Sequence, residues 1–235
     1  MATKTHKLFE HDDLVALVPG LWSVRGSLPF PLRRNMAVFR LGDGSLLLHS
    51  VLAMNEDGMT KLAALGRPSV LIVPNGMHRM DAPFYKARYP DLRVICPAAV
   101  RAKVEKVIAV DATCEEALPP LGVRVHTLPG FKTGELAYEV DVPGGKALLV
   151  ADAVGSSDYA PGIIGGLMAT LSGGIKGRLG VARIMKVLQV SDKKTAREGL
   201  TRLADVPGVR VLIPAHGKPI LEDCAVALRQ AAASL

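Results

Sequence analysis

Short apolar runs bounded by Gly, Pro or Asp constrain the fold of this chain more than any other feature. Runs of this length between turn residues read as strands. They fall at 15–18, 21–24, 36–41, 45–49, 70–73, 93–96, 123–128, 136–140, 147–150 and 209–213. Helical stretches alternate with the later ones, at 56–65, 82–89, 98–107, 181–190, 192–204 and 220–233. The early strands come as hairpins, as Gly42-Asp43-Gly44 between two runs indicates, whereas the later ones come as strand–helix units. That mixture predicts an α/β (α+β) chain in which two packed sheets carry helices on their outer faces, an αββα sandwich, rather than one parallel sheet.

Composition sets the boundaries. With 235 residues, 49% apolar and 22% charged, the chain buries a sizeable core. Residues 1–13 read as a polar tail and 14–235 as one domain. No stretch of ~20 apolar residues is present to span a bilayer. The polar start, without an export signal, and three widely spaced cysteines predict a cytoplasmic protein. The net charge of +7 mildly favours anionic partners. With aromatics at only 4% there is no stacking platform for single strands, so neither nucleic acid nor membrane is expected as a partner.

One segment departs from the pattern. Residues 159–191 contain no acid and four bases, Lys176, Arg178, Arg183 and Lys186, and a Gly-rich basic loop spans 155–180. Long loops of this kind are commonly functional, so the segment is read as a lid over a site or as a contact between copies in a homo-oligomer, with a loop merely packed on the core as the alternative.

Three strand ends offer polar side chains: Asn75-Gly76-Met77-His78-Arg79-Met80-Asp81 after the run at 70–73, Asp152 after 147–150, and His216-Gly217 after 209–213. Ligands in sheets of this class gather beyond the carboxyl ends of strands, which points to one shared pocket holding His78, Asp152 and His216.

These segments carry a resemblance. Leu148-Leu149-Val150-Ala151-Asp152-Ala153 is similar to the metallo-β-lactamase superfamily segment in which a strand ends in Gly-Asp, whose Asp bridges two metals. Leu212-Ile213-Pro214-Ala215-His216-Gly217 resembles its closing His-Gly motif, and Leu128-Pro129-Gly130-Phe131-Lys132-Thr133-Gly134 resembles its Gly-His-Thr-x-Gly ligand loop. Leu21-Trp22, Arg34-Asn35-Met36-Ala37-Val38-Phe39-Arg40-Leu41 and Leu46-Leu47-Leu48-His49-Ser50 are similar to an uncharacterised bacterial branch that carries Asn-x-x-His in place of HxHxDH. The likeness covers nearly the whole chain and implies the αββα sandwich. It also implies a depleted metal site: Phe131 replaces a ligand His, and if His78 matches the second His of HxHxDH, then Asp81 falls on its last His while Gly76 and Met80 replace two ligands.

His78, Asp152 and His216 would therefore hold at most one Zn²⁺ or Fe²⁺, three ligands leaving one open position. Asp152 and Asp81 are the candidate catalytic carboxylates, Asp81 as fourth ligand or general base or, alternatively, as the N-cap of a helix begun by Pro83. His49 and Asn75 join Phe131 as candidate supporting or pocket residues, whereas His6, His11 and His126 read as surface. Two functions stay open: a one-metal hydrolase for a small, perhaps anionic, ester, thioester or phosphoester, and a metal-free protein that binds a small-molecule ligand in an apolar pocket containing Phe131 and Met80.

Overall fold

The computed structural model of the protein describes residues 6–29, 32–156 and 178–235. Strands β1 (Val15–Val18), β2 (Leu21–Ser27), β3 (Arg33–Arg40) and β4 (Leu46–His49) form an antiparallel meander. Helix α1 (Glu56–Leu65) then carries the chain to β5 (Pro68–Ile72), and α2 (Ala82–Arg88) carries it to β6 (Arg93–Cys96). Both crossovers leave the strands parallel, and the short β7 (Ala112–Thr113) completes a seven-stranded sheet in sequence order. The second sheet holds β8 (Arg124–Thr127), β9 (Leu136–Val142), β10 (Gly145–Val150) and β11 (Val209–Pro214) in the order β11-β10-β9-β8.

Alternation along the central strands builds four layers. Leu47, Ile72, Ile95, Tyr138, Leu149 and Ile213 meet between the two sheets. Their neighbours Leu48, Leu71 and Val94 turn outward onto Met59 and Leu62 of α1 and Tyr85 of α2. On the other side Leu148, Val150 and Leu212 pack against α6 (Lys193–Ala204) and α7 (Cys224–Ala233) through Leu200, Leu203 and Leu228. Each fully buried Leu of this kind contributes roughly 2 kcal/mol of transfer free energy, so both faces of each central strand are stabilising and register is strongly specified.

Local chemistry sets the helix starts. Asn55 accepts a hydrogen bond from the Gly58 amide at the head of α1, and Asp192 accepts from Lys194 and Thr195 at the head of α6. Asp81 stands at the N-cap position of α2, with Pro at the helix start, but its side chain makes no capping bond.

The two packed sheets with outer helices agree with the expectation from sequence. Differences lie at the ends of elements. β3 begins at Arg33, three residues before the apolar run that marked it. α7 begins at Cys224 because Ile220 pairs with Leu212 and Asp223 takes a left-handed φ of 51°. The stretch expected as a helix at 98–107 is a short 3-10 turn followed by α3 (Arg101–Val104), and a further short helix, α4 (Cys114–Ala117), follows β7. In the Gly-rich basic segment the described part holds α5 (Arg183–Leu188), while Lys176 lies outside the described residues. Among the described residues no helix is long and apolar enough to cross a membrane.

Candidate metal centre

The site lies where the carboxyl ends of β4, β5, β10 and β11 meet. Asn35 on β3 stitches the two sheets together there, its amide donating to the carbonyls of Pro214 (2.7 Å) and Gly217 (2.6 Å). Its backbone amide also donates to Ala215. Gly217 adopts φ 100°, a conformation glycine takes at no steric cost, and a Cβ there would strike Ser156.

His78, Asp152 and His216 converge, with one potential ligand atom from each lying within 4.8 Å of the others. His78 Nε2 stands 3.3 Å from Asp152 Oδ2, and His216 Nε2 stands 3.2 Å from Asp152 Oδ1. The two imidazoles meet edge to face with centroids 5.8 Å apart. Each ring is anchored through its other nitrogen: His78 Nδ1 to Ser50 Oγ and His216 Nδ1 to the Arg33 carbonyl, both at 2.8 Å. Such partners orient ligands and choose which nitrogen faces the site.

Asn75 shapes the loop after β5. Its Oδ1 accepts from the amides of Met77 and His78, closing a turn, while Nδ2 donates to Asp152 Oδ2 at 2.7 Å. The same amide reaches Glu135 Oε1 at 3.3 Å, and Glu135 also accepts from the Thr133 hydroxyl and the Asp152 amide. Sequence reasoning missed Glu135. The available signal was a carboxylate standing immediately before the strand at 136–140, at the end of the loop that resembles the ligand loop.

The electrostatics follow from burial. Desolvation pushes the Asp152 carboxyl up, but the imidazoles of His78 and His216 beside it outweigh burial and hold the group well below its ordinary value. Burial lowers His78, against the opposing pull of Asp152. Burial and the neighbouring Asp152 carboxylate push Glu135 up to about 8. His49 is fully buried between the sheets beside Tyr138, its Nε2 has no hydrogen-bond partner, and desolvation pushes it down to about 3, so it stays neutral.

Other expected residues have different employment. Asp81 neither caps α2 nor joins the three-residue group, since Arg34 Nη2 holds one oxygen at 2.6 Å and His6 Nε2 the other at 2.8 Å. That contact gives His6 a role the surface reading missed. His11 likewise accepts from the Asn55 amide, and His126 binds Glu139 at 2.6 Å. Phe131 packs into the core beneath α6 rather than into the cleft. Of the basic segment, Arg178 and Arg183 are exposed and Lys186 donates to the Ser234 carbonyl. Among the described residues that line the cleft, the cations are Lys7, Arg34 and Arg79 instead. The cleft, of about 640 Å³, opens directly onto His78, Asp152 and His216.

Two sheets packed face to face between outer helices, with the site at strand ends, define the metallo-β-lactamase fold, and comparison with solved structures shows that this chain has it. The DIM-1 metallo-β-lactamase matches with a TM-score of 0.63 at 14% identity, over 95% of this chain and 98% of that one. A metallo-β-lactamase from Hirschia baltica matches at 0.61 and 15%, covering 96% and 98%, and one from Erythrobacter litoralis at 0.62 and 13%, covering 94% and 96%. Neither the family models nor the curated proteins compared with the sequence give a match.

Proposed function

We propose that this chain is a metal-dependent hydrolase-like protein with a single ion, held by His78, Asp152 and His216, acting on a small ester, thioester or phosphoester. The observation that carries the reading is the orientation of His216. A carbonyl oxygen only accepts, so the 2.8 Å bond to Arg33 places the ring hydrogen on Nδ1 and leaves a bare Nε2 in the neutral ring. That lone pair faces Asp152 Oδ1 at 3.2 Å, and Oδ1 receives no hydrogen bond. Two lone pairs at that separation repel unless a cation lies with them. Either a proton on His216 or a divalent ion would satisfy both atoms, and the second imidazole, 3.3 Å from the same carboxylate, favours the ion because it completes a set of three ligands. Two imidazoles and one carboxylate suit a divalent ion such as Zn²⁺ or Fe²⁺. The fold neighbours, named as metallo-β-lactamases, support the metal half of the reading.

When bound, an ion in such a site lowers the pKa of a coordinated water to about 7 and polarises a carbonyl or phosphoryl oxygen. The protein's own groups supply the rest. Ser50 and the Arg33 carbonyl fix the two rings, and Asn75 fixes Asp152. Asp152 Oδ2 accepts from Asn75, so Oδ1 is the oxygen that would face the ion beside His216. Asp81, already bound by Arg34 and His6, holds the loop after His78 against β3 rather than moving a proton.

Metal analysis of protein purified without chelator tests this. About one equivalent of a transition metal is expected, falling to near zero in Asp152→Ala. A metal content well under one equivalent in the wild type, not restored by soaking, leaves the metal-free binding protein as the surviving reading. Thermal melts in added Zn²⁺, Mn²⁺ and Fe²⁺ give an independent check, since a ligand that binds only the native state raises the melting temperature.

A further inference from the structure

The wall of the cleft is mainly apolar. Met77 and Met80, on the loop that carries His78, are 49% and 59% exposed. Met185 of α5 and Leu28 and Leu32 complete the surface. Methionine is flexible and polarisable, and it suits surfaces that adapt to unbranched chains. The volume falls within the ~300–1,000 Å³ usual for small-molecule pockets.

One charge in this wall is unmatched. Arg34 already holds Asp81 and the Val51 carbonyl through Nη2, although its Nε too lacks an acceptor, and Lys7 lies 5.0 Å from the centre of the Phe9 ring. Arg79 is different: it is half-buried, its Nε is shielded from water without an acceptor, and among the described residues it has no ion-pair or hydrogen-bond partner. Gly76 gives it a close seat. A Cβ at Gly76 would lie 3.3 Å from Arg79 Nη1 and 3.1 Å from Lys103 Cδ, so the bare backbone lets two cationic side chains rest on the same turn. A shielded Nε without an acceptor is costly, and the rest of the unpaired guanidinium is free to take an anion in charge-assisted hydrogen bonds.

From this juxtaposition we infer that the cleft binds a linear amphiphile, with an alkyl or acyl chain along Met77, Met80 and Met185 and an anionic head, carboxylate or phosphate, on Arg79. The inference rests on the proposed hydrolase only for the fate of the bound molecule. In an ester lying there, water adds at the carbonyl carbon, the carbon–oxygen bond breaks, and the alcohol leaves with a proton while the acid remains.

Calorimetric titration of the full chain with octanoate, octyl phosphate and 1-octanol tests the binding, in chelator-treated protein and in protein carrying Zn²⁺. At least one of the anions should bind ten times more tightly than the alcohol under both conditions, and the tighter of the two identifies the head group. Arg79→Gln should bring the anions down to the alcohol's affinity, and Arg79→Lys should keep part of the preference. Met77→Ser with Met80→Ser should weaken all three ligands together. Equal binding of anions and alcohol, no binding of any, or a preference that survives Arg79→Gln overturns the inference. Anion-selective binding without turnover of octanoyl esters upholds it and removes the hydrolase reading alone.

Discussion

His216 directs Nδ1 at the backbone carbonyl of Arg33, 2.8 Å away, across a separation of 183 residues. The ligand-bearing loop of the second sheet is thereby set by the first strand segment of the other sheet that reaches the site. Because the partner is backbone, no side-chain change at Arg33 removes it. The informative substitutions are on the ring and its acid. His216→Ala and Asp152→Asn should each abolish the metal-dependent rise in melting temperature, which for a ligand at a hundred times its Kd corresponds to about 2.7 kcal/mol. A melt series with and without Zn²⁺ decides it. A full rise in either variant would mean that the ion sits elsewhere.

Ser50 is the counterpart on the other imidazole. It sits at φ 57°, an uncommon conformation for a non-glycine residue, and its hydroxyl meets His78 Nδ1 at 2.8 Å. Replacing it with glycine relaxes the backbone while deleting the hydroxyl. Ser50→Gly should therefore fold at least as readily as the wild type, yet bind metal about 10–100-fold more weakly. Competition titration against a chromophoric chelator reads the affinity, and an unchanged affinity would show that the hydroxyl does not position the ring.

The layers and the three strand ends were legible because each rests on local pattern. Apolar runs bounded by turn residues marked the strands of Leu47, Ile72 and Leu149, and polar residues after the runs marked His78, Asp152 and His216. What supports them was hidden by distance or by broken pattern. Arg33, Arg34 and Asn35 interrupt the apolar run of β3, so they read as the residues before a strand, although all three are engaged at the site's edge. The Asp81–His6 contact spans 75 residues and involves a segment read as a surface tail. Phe131 misled for another reason. Its position was inferred from a motif in which a histidine points into the site, but a phenyl ring gains more from the core beneath α6.

Gly130 tests the packing of the loop that contains Phe131. It holds φ 83°, and a Cβ there would lie 2.5 Å from the Ala196 amide nitrogen and from the Asp192 carbonyl oxygen, both backbone atoms at the start of α6. Neither can yield without moving the helix. Gly130→Ala combines an unfavourable backbone conformation with an overpacked contact and should destabilise the fold by about 2–5 kcal/mol. Urea unfolding measures the loss. A change under about 1 kcal/mol would mean that the loop and α6 separate easily.

The last prediction concerns acid stability away from the metal centre. Glu139 lies on β9 with its side chain 2% exposed, and its carboxylate takes Arg124 and Lys146 at 2.8 Å and His126 at 2.6 Å. Desolvation pushes its pKa up, but the hydrogen bonds from Lys146 and His126 together with the nearby charges prevail and hold it below the ordinary 4.5. A carboxyl whose folded value is depressed stabilises the protein at pH values above its unfolded pKa. That contribution is lost as pH falls through the folded value, where the unfolded chain binds the additional proton. Glu139→Gln removes the charge and leaves Lys146 without its counter-ion, while Arg124 keeps Asp141, at a cost on the order of 1 kcal/mol near neutral pH because the partners are partly exposed. The gap between wild type and Glu139→Gln in urea unfolding should therefore be widest at pH 6–7 and narrow progressively as pH falls below about 4.5. A gap that stays constant across that range would show that the glutamate acts through packing and not through its charge.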